Sequence, residues 1–413
     1  MKKPRIFGII IKIVLFTLVL SVGTLVALRL DETEGLALTD LPEANIEAVA
    51  AMPQRPVMYA HLTDATQAHG LYRSEDGGQS WRLMGSGLDT PINSLAVDSH
   101  TDGLLYAGTG GGPLGVTNNV WRSLDGGQSW HNFNLSLPAG PDRMVPAVTA
   151  VMPDPNQPGV LYVGTDGQGV YRFYDKLLGF ELVGGLDLHD SHVKQLTMAT
   201  DGKLYAVTNG GLFVTEGDSW RKIESLPETA IIVAAAPTNP RVLYVGTPSS
   251  GLYRSTDGGQ QWQSVSSGLG LLPGAALRIT ELAVDDQDAN RIVVSTGYWL
   301  GSRLAPGGIY ESFDGGSHWT RLGDSPAPIK HLSLSGPTVR AVTAAGTVRY
   351  GAGGETQTPV RSPALEPLTS PSGVQILVLL ITVGLAGLVA ISHLGWVAEH
   401  RQTPDYIKAE VTK

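Results

Sequence analysis

No cysteine occurs among the 413 residues. That excludes a disulfide framework, a thiolate metal centre and a cysteine nucleophile. Charge is scarce, at 16% of the chain, and aromatic residues make up only 7%. Basic charge is scarcest where a nucleic-acid binder would need it. Between residues 31 and 372 stand 21 Lys and Arg against 35 Asp and Glu. A surface of that sign repels a phosphate backbone, so nucleic-acid recognition is excluded as a main role. What the chain has instead is glycine (51 residues) and proline (26), with 42% hydrophobic residues. Such a composition belongs to many short strands joined by many turns, not to a disordered chain.

Two long apolar runs stand apart. Ile6–Leu28 is interrupted only by Lys12, and Val374–Val397 carries no formal charge. As helices each would measure roughly 35 Å, enough to cross a bilayer core. The first, within residues 1–30, is read as an uncleaved signal-anchor. A cleavable signal peptide is the rival, although Leu25-Val26-Ala27-Leu28-Arg29 lacks a small-x-small cleavage site. Lys2, Lys3 and Arg5 keep Met1 cytoplasmic. A second span at 373–398 returns the 399–413 tail to that side, leaving residues 31–372 outside the cytoplasm. Within that portion, 31–44 and the Gly/Pro-rich 352–372 read as linkers.

Internal repetition dominates residues 45–351. One phrase recurs as Tyr72–Trp81, Trp121–Trp130, Tyr253–Trp262 and Tyr310–Trp319, with worn copies at Leu212–Trp220 and Tyr171–Phe180. A short apolar phrase ending in Gly-Thr or similar precedes each, at Leu105–Thr109, Leu161–Thr165, Leu204–Thr208, Leu243–Thr247 and Ile292–Thr296, with weaker forms near Val57–Thr63 and Val339–Thr343. A third lies farther upstream (Ile92–Val97, Val148–Met152, Val193–Met198, Ile231–Ala235, Ile279–Val284, Ile329–Leu334). Each unit thus holds four strands, the pattern of one propeller blade. The expected fold is all-β: a β-propeller of about seven four-stranded blades, six or eight being the neighbouring counts, with a transmembrane helix at each end. The seventh unit lacks an evident fourth strand, and Leu36–Leu41 is the candidate to supply it.

The strongest repeats fit Ser-x-Asp-x-Gly-x-x-Trp. Their members are Ser74, Asp76 and Trp81; Ser123, Asp125 and Trp130; Ser255, Asp257 and Trp262; and Ser312, Asp314 and Trp319. The aspartates are expected to accept backbone N–H groups of their own turns, the glycines to permit positive φ, and the tryptophans to fill the space between blades. A single Asp among Gly and Ser offers too few oxygens for calcium. In these motifs the chain resembles the Asp-box (bacterial neuraminidase repeat) family, whose members include sialidases, sortilin-type receptors and photosystem II assembly factors. The resemblance implies either a protein-binding propeller or a glycan-acting one. A sialidase would need three converging arginines and an Arg-Ile-Pro. The chain offers only Arg55-Pro56, and most of its arginines sit in repeat phrases.

Asp-box turns join the third and fourth strands of a blade, so they mark one face. Function is expected on the other, where the longest insertions fall. Tyr298, Trp299 and Arg303 in the 297–308 segment, with Asp142 and Arg143 in 138–146, form the candidate ligand or partner group. Asp187, His189, Asp190 and His192 read as solvated polar residues, so no metal and no cofactor is expected. The reading that results is a membrane-anchored, extracytoplasmic, non-catalytic protein-binding or assembly scaffold. The alternative is a cell-surface glycoside hydrolase or glycan binder, in which Asp142, Asp187 and Glu281 are the available carboxylates.

Overall fold

The second strand of each repeat is the most buried part of the chain. Leu105–Thr109 and Val160–Thr165 are enclosed along their whole length, so their sequences run apolar instead of alternating. A strand needs such a run when other sheets cover both its faces, and here they do. A computed structural model of the chain describes residues 45–351 apart from short stretches between strands, together with Ala37–Leu38 and Thr356–Gln357. Seven antiparallel sheets of four or five strands follow one another along it, each strand paired mainly with its sequence neighbour, and a two-stranded ribbon pairs Gly112–Pro113 with Met144–Val145. Their innermost strands are Asn45–Ala51, Ile92–Val97, Val148–Pro153, Val193–Met198, Ile232–Ala236, Ala276–Val284 and Ile329–Ser335. Each touches the next, and the seventh touches the first, which closes a ring. The fold is a seven-bladed β-propeller. The apolar runs at 6–28 and 374–397 lie outside the described residues. Among the described residues no helix is long and apolar enough to cross a membrane.

The Ser-x-Asp-Gly-Gly turns share one wiring diagram. In the first, the Ser74 hydroxyl donates to Asp76 Oδ1 (2.8 Å) and accepts the Gly78 N–H (2.7 Å). The same Asp76 oxygen accepts the N–H groups of Gln79 and Ser80. Asp125, Asp257 and Asp314 repeat this with Ser129, Gln261 and His318 as the last donors. Gly77 and Gly78 adopt φ of 70° and 87°, where an L-residue with a side chain is strained. Each tryptophan then fills the junction with the preceding blade. Trp130 joins the apolar cluster of blades 1 and 2, Trp262 that of blades 4 and 5, and Trp319 that of blades 5 and 6.

Ring closure differs from the expectation. Within Leu36–Leu41, residues Ala37–Leu38 pair with Trp81 and Arg82 on the outer edge of the first blade, giving it a fifth strand. The seventh blade takes its fourth strand from Thr356–Gln357, inside the segment read as a linker, paired with Arg349 and Tyr350. A five-residue connection after Tyr350 costs little closure entropy, so the local pairing prevails over one spanning the whole domain. Blades 1 and 7 are therefore joined by side chains. Trp81, with no exposed surface, packs with Val342 of the last blade.

Candidate functional site

Six innermost strands carry a register shift at an equivalent place, just before the residue that pairs with His61, Gly108, Gly164, Val207, Ser295 or Val342. The bulged residues are Glu47, Asn93, Thr149, Lys194, Thr280 and Lys330. A bulge leaves one residue outside the ladder and turns its side chain away from the sheet. Because the same position bulges in blade after blade, these side chains ring the mouth of the central channel on the face opposite the Asp turns. Three also fasten the ring. Glu47 Oε2 accepts the Ile92 N–H (2.9 Å), Asn93 donates to the Val148 carbonyl (3.1 Å), and Thr149 donates to the Val193 carbonyl (2.6 Å). Each therefore bonds to the first residue of the next blade's inner strand.

Around these residues opens a broad hollow of about 680 Å³, lined by Glu47, Asn93, Thr149, Lys194, His192, Asp166 and Asn209 among others. His192 Nδ1 meets the Asp166 carboxylate, and its N–H donates to Asn209 Oδ1 (3.2 Å). His192 thus belongs to the mouth of the channel. Asp187, His189 and Asp190 lie outside the described residues, as do Asp142 and Arg143.

A second constellation, absent from the sequence expectations, adjoins the hollow. Glu47, His61 and His69 come from the first, second and third strands of blade 1, and their ligating atoms lie within 4.8 Å of one another. Glu47 Oε2 is 2.9 Å from His61 Nδ1, and Glu47 Oε1 is 3.4 Å from His69 Nδ1. The two imidazoles stack at 5.6 Å. Burial pushes the His61 ring below its ordinary pKa, against the hydrogen bond to Leu88 and the Glu47 charge. Burial pulls Glu47 upward, but hydrogen bonds from Thr63 and Ile92 outweigh it and hold the carboxylate low. A signal for this group was present. Aligned by their tyrosines, Tyr59-Ala60-His61 stands where other blades have Tyr106-Ala107-Gly108 and Tyr162-Val163-Gly164. A Cβ at Gly108 or Gly164 would come within 2.6 Å of the next blade's valine. His61 thus occupies a position that blades 2, 3 and 5 fill with glycine.

The expected 297–308 loop is instead the upper half of a long hairpin. Ile292–Leu300 pairs with Arg303–Ser312, turning at Gly301. Tyr298 is buried, and its hydroxyl donates to the Leu269 carbonyl (3.0 Å). Trp299 is half-buried. Its indole N–H reaches the Pro248 carbonyl (3.0 Å), and the Arg278 guanidinium lies 6.0 Å from its ring. Both aromatics therefore anchor the hairpin onto the preceding blade. The accessible groups at its tip are Leu300 (53% exposed), Leu304 (38%) and Arg303. An apolar hollow of about 220 Å³ runs beneath Leu304, Ala305 and Pro306 to Ile329.

Among the described residues, the arginines left for a carboxylate clamp do not all gather. Arg278 and Arg303 stand at this hairpin, while the Arg340 guanidinium lies over Gly77 in an Asp turn, on the opposite face. On the inner strands of blades 6 and 7, Glu281 and His331 directly follow the bulged Thr280 and Lys330. Burial raises Glu281 to about 8, against a backbone hydrogen bond and the Lys330 charge. Burial alone lowers His331 to about 4.

No family model matches the chain. A probable oligoxyloglucan-reducing end-specific xyloglucanase of Neosartorya fischeri is 31% identical over 97 residues, 23% of this chain. The matched part is only 11% of that enzyme's length. Among solved structures, YCF48 bound to D1 peptide superposes with a TM-score of 0.53 at 18% identity, covering 78% of this chain and 98% of that one. YCF48 from Cyanidioschyzon merolae gives 0.53 at 14% identity, with 76% and 97% covered. These likenesses establish the propeller fold.

Proposed function

We propose that this chain is a membrane-anchored, extracytoplasmic propeller that binds a protein partner and serves as an assembly scaffold. The observation that carries the reading is the blade 6 hairpin. It extends four residues beyond Thr296, near the point where other blades turn, and it exposes Leu300 and Leu304 beside Arg303. A hairpin braced by Tyr298 and Trp299 presents apolar side chains with little conformational entropy left to lose on binding. A solved propeller of similar fold, YCF48, binds a D1 peptide, in keeping with an extended segment as the ligand. Anchors at 6–28 and 374–397 would hold the face close to membrane partners, with both chain ends cytoplasmic. The repeat motifs support placement among Asp-box propellers.

Photo-crosslinking from residue 302, at the exposed tip of the hairpin, in the full chain tests this. One reproducible protein adduct, abolished by Leu300→Asp with Leu304→Asp while the melting temperature holds, is the expected result. Adducts equally abundant from an Asp-turn position would reject it.

A second reading is action on glycans, favoured by the 97-residue likeness to a xyloglucanase. Hydrolysis of xyloglucan oligosaccharides by the purified chain would establish it.

A further inference from the structure

Independently of the hairpin, the group at the blade 1–2 junction has the features of a metal site. Its members are a carboxylate and two imidazoles brought together from three strands. His61 Nε2 faces the Leu88 carbonyl (3.2 Å), which only accepts, so that nitrogen carries the ring proton of the neutral imidazole. Nδ1 then turns its lone pair toward Glu47 Oε2, 2.9 Å away. The Thr63 hydroxyl donates to Glu47 Oε1, so its oxygen offers a lone pair to His69 Nδ1 at 3.0 Å. The Glu47 carboxylate and the two imidazoles are thus gathered in one small volume, where His61 Nδ1 meets the carboxylate lone pair to lone pair. A proton on His61 Nδ1 would relieve that contact as an ion pair. A cation would relieve it by binding the carboxylate and both imidazoles together.

We propose that Glu47, His61 and His69 bind a single divalent transition-metal ion of the zinc class, through the Glu47 carboxylate and the two Nδ1 atoms. Ligands roughly 2.0–2.2 Å from a tetrahedral zinc stand about 3.4 Å apart, and the two nitrogen–oxygen separations here are 2.9 and 3.4 Å. Two imidazoles and a carboxylate suit zinc better than calcium or magnesium. The outer contacts also match. The Leu88 carbonyl fixes the His61 tautomer, and the Ile92 N–H holds the carboxylate in place. All three ligands sit on adjacent paired strands, Ala48 opposite His61 and Thr63 opposite His69, so the site is preformed. Because Glu47 also lines the hollow, the fourth position faces the channel mouth, where a water, an anion or a partner's side chain would complete the shell.

The full chain, purified without an oligohistidine tag, stripped with chelator and dialysed, is titrated with zinc chloride by calorimetry. Bound metal is then counted by elemental analysis. One equivalent per chain is expected, with a rise in melting temperature. His69→Ala and Glu47→Gln, which leave the fully buried His61 in place, should each weaken zinc by about 10- to 100-fold or more. A cobalt-loaded sample should show d–d absorption that is lost in both variants. Zinc-insensitive melting with no bound metal would overturn the proposal. So would variants that bind zinc as tightly as the parent chain, since the ion would then sit elsewhere.

Discussion

The indole N–H of Trp81 donates to the Thr347 hydroxyl across 3.3 Å and 266 residues of chain. That bond and the surrounding contacts with Val342 join the last blade to the first. Among the described residues no strand exchange reinforces the junction, so its packing bears on the whole ring. Trp81→Ala removes a fully buried indole and is expected to cost about 3–5 kcal/mol. The half-buried Trp262, at an interior junction, should cost less when replaced in the same way. Thr347→Val keeps the shape and removes one acceptor, for about 1 kcal/mol. Urea denaturation of the three variants checks the order, which reverses if closure depends on the terminal strands.

Acid should loosen the four Asp turns in concert. In Asp314 the His318 N–H and side chain hold the carboxylate down to about 2. In Asp76 and Asp125 burial pulls upward, but the hydrogen bonds from Ser80 and Ser129 outweigh it. A folded-state value below the unfolded one contributes stability at pH above about 4, lost as pH falls toward 2. Asp314→Asn should flatten the melting temperature between pH 4 and 2 relative to the parent chain, and leave its shape above pH 5 unchanged.

Seven blades were legible from the recurring buried second strand, and four of them also from turns that need two glycines at positive φ, a carboxylate for several donors, and an indole for the gap. Those needs recur, so the sequence repeats. The hairpin was hidden for a related reason. Gly307 and Gly308 resemble loop residues, yet a Cβ on Gly307 would strike Thr296 and the Tyr298 ring, so the glycine serves close packing inside a strand. The Glu47, His61 and His69 group was obscured because its members come from three strands, with no fixed spacing to recognise. Only tertiary pairing and a bulge bring them together. His61 in place of a glycine was the visible clue.

Glu281 and His331 bias stability in opposite pH directions. Glu281, raised to about 8, stays protonated in the fold while the unfolded chain ionises near 4.5. Stability is therefore lost as pH rises from about 4.5 through 8. His331, lowered to about 4, must stay neutral, so stability is lost as pH falls from 6.5 through 4. Glu281→Gln should raise the melting temperature at pH 8 by several degrees and leave it nearly unchanged at pH 4. His331→Gln should show its gain at pH 4 instead. Equal effects at both pH values would mean that neither group is held as described.

Gln195 ties the fourth blade to the fifth in both directions. Its Oε1 accepts the Val233 N–H at 2.9 Å, and its Nε2 donates to the Val233 carbonyl at 3.1 Å. Val233 is buried on an inner strand, so neither backbone group has ready access to water. Gln195→Ala strands the Val233 N–H, at about 1–3 kcal/mol, while the carbonyl keeps the Thr197 hydroxyl at 3.3 Å. Gln195→Leu keeps the volume but leaves the Val233 N–H equally unpaired, and so should recover little. Gln195→Glu keeps the acceptor and forfeits the donor, placing its loss between the parent chain and alanine at pH 7. Denaturation midpoints that rank Leu close to the parent would show that packing, not this amide pair, holds the junction. Amide exchange at Val233 gives the complementary measurement, with protection falling first in the alanine variant.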